Sequence, residues 1–112
     1  MLKVKNIEFA DSIGVMYAIK EANNLKTLQD TFSHLQKCSD LDSILEVLRV
    51  SYNAQNKTNV SLSEFIEIIE KEELGYLCLI DAYQKLLEKL MYAGLTPEEV
   101  QAKKNFLKNL KR

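Results

Sequence analysis

The sequence predicts a mainly α protein: a compact bundle of about five to six helices with a short strand or hairpin at its N-terminus. Three observations lead there. Apolar residues recur at three- and four-residue spacing through most of the chain, as one buried helix face requires. Helix-start signals, Ser61-x-x-Glu64 and Thr96-Pro97-Glu98-Glu99, stand before two of the periodic runs. A length of 112 residues with 46% hydrophobic content fits one domain, residues 1–112, around one core. A chain of this size buries roughly 65% of the surface its unfolded form exposes, so it needs no disulfide or structural metal to fold.

In chain order, Leu2, Val4, Ile7 and Phe9 alternate with Lys3, Lys5 and Glu8 as a half-buried strand does, Asn6 interrupting the pattern. Asp11 or Ser12 then caps a helix through Ile13, Met16, Tyr17, Ala18 and Ile19, which ends near Asn23-Asn24. From Leu25, the series Leu25, Leu28, Phe32, Leu35 marks a second, amphipathic helix. After Ser39-Asp40, the residues Leu41, Ile44, Leu45, Leu48 and Tyr52 form the cleanest single helix face in the chain. Asn53 to Asn59 is polar and asparagine-rich and reads as the longest surface loop.

Ser61-x-x-Glu64 has the form of a capping box and should start a helix through Phe65, Ile66 and Ile69. Glu70-Lys71-Glu72-Glu73 closes that helix, and Gly75 marks the bend into a long one over Leu74 to Tyr92. The first half of this helix, through Tyr76, Leu77, Cys78, Leu79 and Ile80, is apolar all round, whereas the second half confines Tyr83, Leu86, Leu87, Leu90 and Met91 to one side. A helix apolar on every side must be surrounded. Either the rest of the domain wraps it or part of it is a docking surface. Gly94 fits the position just past the helix end. Residues 96–112 then form a basic amphipathic helix with Val100, Phe106, Leu107 and Leu110 as its stripe and Lys103, Lys104, Lys108, Lys111 and Arg112 as its charges.

The chemistry-bearing residues are sparse. His34 is the single histidine, which rules out a two-histidine metal site; beside the Leu25 to Leu35 stripe it reads as a partly exposed structural residue. Cys38 and Cys78 lack metal or redox spacing and are expected to be free, buried thiols of a reducing cytosol. Gly14, Gly75 and Gly94 are isolated, so no phosphate loop is formed. Glu64, Glu67, Glu70, Glu72 and Glu73 read as a solvated helix face. A formal charge of -1 offers no global field toward nucleic acid or membrane. No segment reaches the roughly 20 apolar residues of a membrane span and the first residues form no signal peptide, so a soluble cytoplasmic protein is expected. No catalytic, cofactor or metal residue is assigned, and the expectation is a non-enzymatic protein that holds another protein.

The order of segments, together with Lys3-Val-Lys-Asn-Ile-Glu-Phe9 and Asn56-Lys-Thr-Asn-Val-Ser-Leu-Ser-Glu-Phe65, resembles the tail assembly chaperones of long-tailed bacteriophages and prophages. The likeness spans Met1 to about Tyr92. It implies a cofactor-free protein of the bacterial host cytoplasm that coats apolar helical stretches of the tape measure protein, recruits tail tube subunits and self-associates. The residues themselves suggest Tyr76, Leu77 and Leu79, with Phe65 or Ile68 beside them, as the contact surface, because a groove that receives an amphipathic helix is a common way to shield apolar side chains. The stripes Leu25, Leu28, Phe32, Leu35 and Val100, Phe106, Leu107, Leu110 are candidate seams between copies. The alternative is a small helical DNA-binding or regulatory protein using the basic C-terminal helix. A third reading, an enzyme or metal protein with a dispersed site, lacks candidate ligands and nucleophiles.

Overall fold

The N-terminal alternation folds back on itself. In the computed structural model, which describes residues 1–93 and 96–110, β1 (Leu2–Val4) and β2 (Ile7–Phe9) form an antiparallel hairpin rather than one strand. Leu2 lies opposite Phe9 and Val4 opposite Ile7, so these apolar residues share one face, with Lys3 and Glu8 on the other. The turn is Lys5-Asn6, and Lys5 takes φ 52° without being glycine. Its ammonium compensates by donating to the Glu72 carbonyl at 2.7 Å, and the Asn6 amide reaches the Glu72 carboxylate at 3.4 Å. Gly94, Lys111 and Arg112, to which the sequence reading gives a helix stop and part of the basic charge, lie outside the described residues.

Six helices follow: α1 (Ile13–Ala22), α2 (Leu28–Lys37), α3 (Leu41–Asn56), α4 (Leu62–Lys71), α5 (Tyr76–Met91) and α6 (Pro97–Leu110). The face that α1 buries is Val15, Met16 and Ile19, while Ile13 and Tyr17 are exposed. The second helix starts later than its stripe, at Thr27, whose hydroxyl accepts the Asp30 N–H at 3.0 Å. Asp40 caps α3 in the same way through the Ser43 N–H, and those bonds to Ser43 hold its carboxyl below the ordinary carboxylate range. Ser61 and Glu64 complete the reciprocal capping box at α4.

The asparagine-rich segment is shorter as a loop than its composition suggests, because α3 runs on to Asn56. Asn53 stays helical and uses its side chain to tie the loop: its oxygen accepts from the Val60 N–H at 3.0 Å and the Thr58 hydroxyl at 2.9 Å, and its amide donates to the Val60 carbonyl. Lys57 closes the helix in the left-handed region at φ 54°.

Helix α3 is the hub, touching β2, α1, α4 and α5. Its buried Ser51 exchanges two bonds with Ala10: the hydroxyl donates to the Ala10 carbonyl at 2.6 Å and the Ala10 N–H donates to the Ser51 carbonyl at 3.2 Å. Phe9, Phe65 and Tyr52 pack beside it, Phe9 edge-on to Phe65 with ring centroids 6.4 Å apart. From the far side α5 contributes Leu79, Tyr83, Leu86 and Leu90, and the Tyr83 hydroxyl donates to the Leu35 carbonyl at the end of α2 at 2.5 Å. Of the Leu25, Leu28, Phe32, Leu35 stripe, Leu35 is buried in this core and Leu28 and Phe32 pack half-buried against it.

Candidate protein-docking site

The first half of α5 is only partly wrapped. The core takes Leu74 and Leu79 and leaves Tyr76 54% and Leu77 78% exposed. Of the residues suggested for contact, Phe65 and Leu79 therefore belong to the interior, where they hold α4 and α5 against α3. Ile68 is half-buried at the edge of a shallow depression with Val60, Glu64, Glu67 and Lys71, and only Tyr76 and Leu77 present apolar surface outward. The contact set thus divides between core and surface. Its cause is that a run apolar on all sides carries no periodic signal to say which side the domain covers.

Cys78 joins this exposed end instead of being buried, and Cys38 is half-buried, its thiol donating to the His34 carbonyl at 3.3 Å; neither is in a disulfide. His34 is half-buried and lines a small cleft with Asp42, Ser43 and Glu46. Ser43 is already committed, since its hydroxyl donates to Asp40 at 2.9 Å. Among the described residues no group of three His, Cys, Asp or Glu side chains is arranged to hold a metal ion. Glu64, Glu67, Glu70 and Glu73 are exposed, as a solvated face requires.

A further concavity lies beside the C-terminal helix, whose Val100, Phe106, Leu107, Leu110 stripe the sequence marks as a candidate seam between copies. It is a groove of about 680 Å³ between α6 and the C-terminal half of α5, closed at one end by the hairpin and the start of α1. Leu2, Ile13, Ala93, Tyr92 and Val100 supply its apolar lining, and Asp11, Lys85, Glu88, Lys89 and Lys104 its charges. The volume falls within the ~300–1,000 Å³ typical of binding clefts. The seam continues past Tyr92 to Leu107 and Lys108.

Helix α6 explains why this space is open. None of its 14 residues is buried. At 100° per residue the Val100, Phe106, Leu107, Leu110 stripe is really two flanks. Val100 and Leu107 turn toward α5 and are half-buried, whereas Phe106 and Leu110 remain 63% and 66% exposed. Contacts with α5 are correspondingly light, and Lys104 lies over the Tyr92 ring at 5.5 Å. Elsewhere in the groove, Asp11 binds the Met1 ammonium at 2.8 Å and approaches Lys89 at 3.9 Å, while Lys85 pairs with Asp81 at 2.9 Å. Solvent-exposed pairs of this kind contribute about 0–1 kcal/mol each, so they shape the rim more than they lock it.

No helix of the described residues is long and apolar enough to cross a membrane. Comparison of the chain with protein-family models, with curated proteins and with solved structures finds no match.

Proposed function

We propose that the protein is a non-catalytic chaperone or adaptor that shields an apolar helical segment of another protein in the groove beneath α6. The observation that carries this reading is the unspent apolar surface at one end of the molecule: an open groove with an apolar floor, roofed by an amphipathic helix with no buried residue. A helix of this kind is stable only if something covers its apolar flanks. An incoming amphipathic helix covers one of them by laying its apolar face against Val100, Leu107 and Tyr92, while Phe106 and Leu110 stay on the other flank.

The likeness of segment order to phage tail assembly chaperones makes the tape measure protein the partner of choice, with tail tube subunits recruited to the complex in the host cytoplasm and copies of the chaperone associating with one another. Tyr76 and Leu77, exposed at the opposite end of α5, form a second apolar contact.

Co-expression with the apolar segments of the tape measure protein encoded nearby tests the reading. The expected result is a soluble complex that survives Leu77→Asp with modest loss and is abolished by Val100→Asp with Leu107→Asp, circular dichroism staying helical throughout. Leu79→Asp is uninformative here, because it would put a charge in the core. Failure of every tail protein to co-purify would sink the assignment.

A further inference from the structure

We infer that the α5–α6 groove selects apolar helices bordered by carboxylates, an inference that rests on the docking reading above and specifies the chemistry of the partner. Lysines outnumber acids along the seam: Lys85, Lys89, Lys104 and Lys108 against Asp11 and Glu88. Two of these lysines are already paired, Lys85 with Asp81 and Lys89 with Asp11, which also holds the Met1 ammonium. On α6, by contrast, Lys104 and Lys108 have no carboxylate within ion-pair distance among the described residues, and Lys104 rests on the face of Tyr92.

Both lysines project from the same side of α6 as Val100 and Leu107. A helix seated on those apolar residues therefore places its flanking side chains beside ammonium groups. Glutamates at the edges of its apolar stripe gain ion pairs there, and lysines at the same positions meet like charge, which both weakens the complex and slows encounter. The discrimination is electrostatic at an exposed rim, so it is modest and screened by salt.

Two synthetic helical peptides with the same leucine stripe at i, i+3, i+4 and i+7, one flanked by glutamates and one by lysines, provide the test by fluorescence anisotropy against the full chain. The glutamate peptide is expected to bind about five- to tenfold more tightly at low ionic strength, from two or three rim pairs. Concentrated salt should close that gap. In the variant carrying Lys104→Glu with Lys108→Glu, both exposed positions, the order of the two peptides should reverse while the helical circular dichroism is kept. Equal affinities, or a preference the variant leaves untouched, would overturn the inference and leave the docking reading standing. Binding of neither peptide would remove the docking reading and the inference together. Sedimentation of the unliganded protein covers the remaining occupant: an oligomer that the lysine substitutions disperse would assign the groove to a second copy and overturn the inference.

Discussion

Tyr83 brings a polar atom into the core and satisfies it on the Leu35 carbonyl, which at the end of α2 also accepts the Cys38 N–H at 3.3 Å. Its hydroxyl donates to Leu35, and burial, with Cys38 alongside, pushes its pKa well above the ordinary tyrosine value of 10.0. Tyr83→Phe is expected to cost about 0.5–1.5 kcal/mol in urea denaturation at neutral pH, the net value of one hydrogen bond, since the Leu35 carbonyl keeps the Cys38 N–H. The pH dependence has a definite sign. The folded state keeps the proton that the unfolded chain releases above about pH 10. The contribution of Tyr83 is therefore complete below that pH and is lost as pH rises beyond it, and the gap between wild type and Tyr83→Phe should stay constant up to about pH 9 and narrow above about pH 10, as urea melts at stepped pH would show. A gap that stays constant throughout would mean that the hydroxyl is not buried. Tyr83 was legible as an apolar-face residue of its helix, but its carbonyl partner, 48 positions away, was not.

At the scale of elements, the chain uses ordinary side chains where glycine is the usual choice. Lys5, Asn24, Lys57 and Glu73 all sit at positive φ. Such positions cost a residue with a Cβ about 1 kcal/mol relative to glycine. At Lys5 the ammonium bond to Glu72 offsets this, but Lys57 at the end of α3 makes no side-chain hydrogen bond among the described residues. Lys57→Gly should accordingly raise stability by about 0.5–1 kcal/mol, read from the midpoint of thermal or urea unfolding. A loss of stability would show that the lysine holds the loop in some other way. The same economy explains which elements could be read in advance. Helices α2 to α4 and the second half of α5 announced themselves through three- and four-residue spacing, and α4 also through its cap. The hairpin hid its turn in Lys5-Asn6, and Asn53 and Asn56 looked like loop residues because their side chains bond backbone, which in this protein happens from within a helix.

For the whole molecule, the core is complete without its last helix. Among the described residues, every buried one lies between Leu2 and Leu90. Ending the chain at Ala93 should leave cooperative unfolding intact, shift stability by less than about 1 kcal/mol and abolish binding of helical peptides to the groove. Non-cooperative unfolding of the truncated chain would show instead that α6 supports the fold. The groove itself was not readable from composition or period. The two flanks of α6 could be separated by angle, yet which neighbours face it depends on how α5, α1 and the hairpin converge, and no local pattern records that. The exposed Tyr76 and Leu77 posed the related problem that a buried and a bare leucine are spelled alike.

The paired bonds between Ser51 and Ala10 also set an order of events. During synthesis the hairpin leaves the ribosome before α3 does, so its apolar face and the Ala10 backbone find their counterpart only after residue 51 has followed, 41 positions later. A lone two-stranded hairpin is at best marginally stable in water, so the beginning of this chain waits for its middle. Acquisition of structure is then gated by α3, and a pause in translation before that helix would leave Leu2, Ile7 and Phe9 without cover.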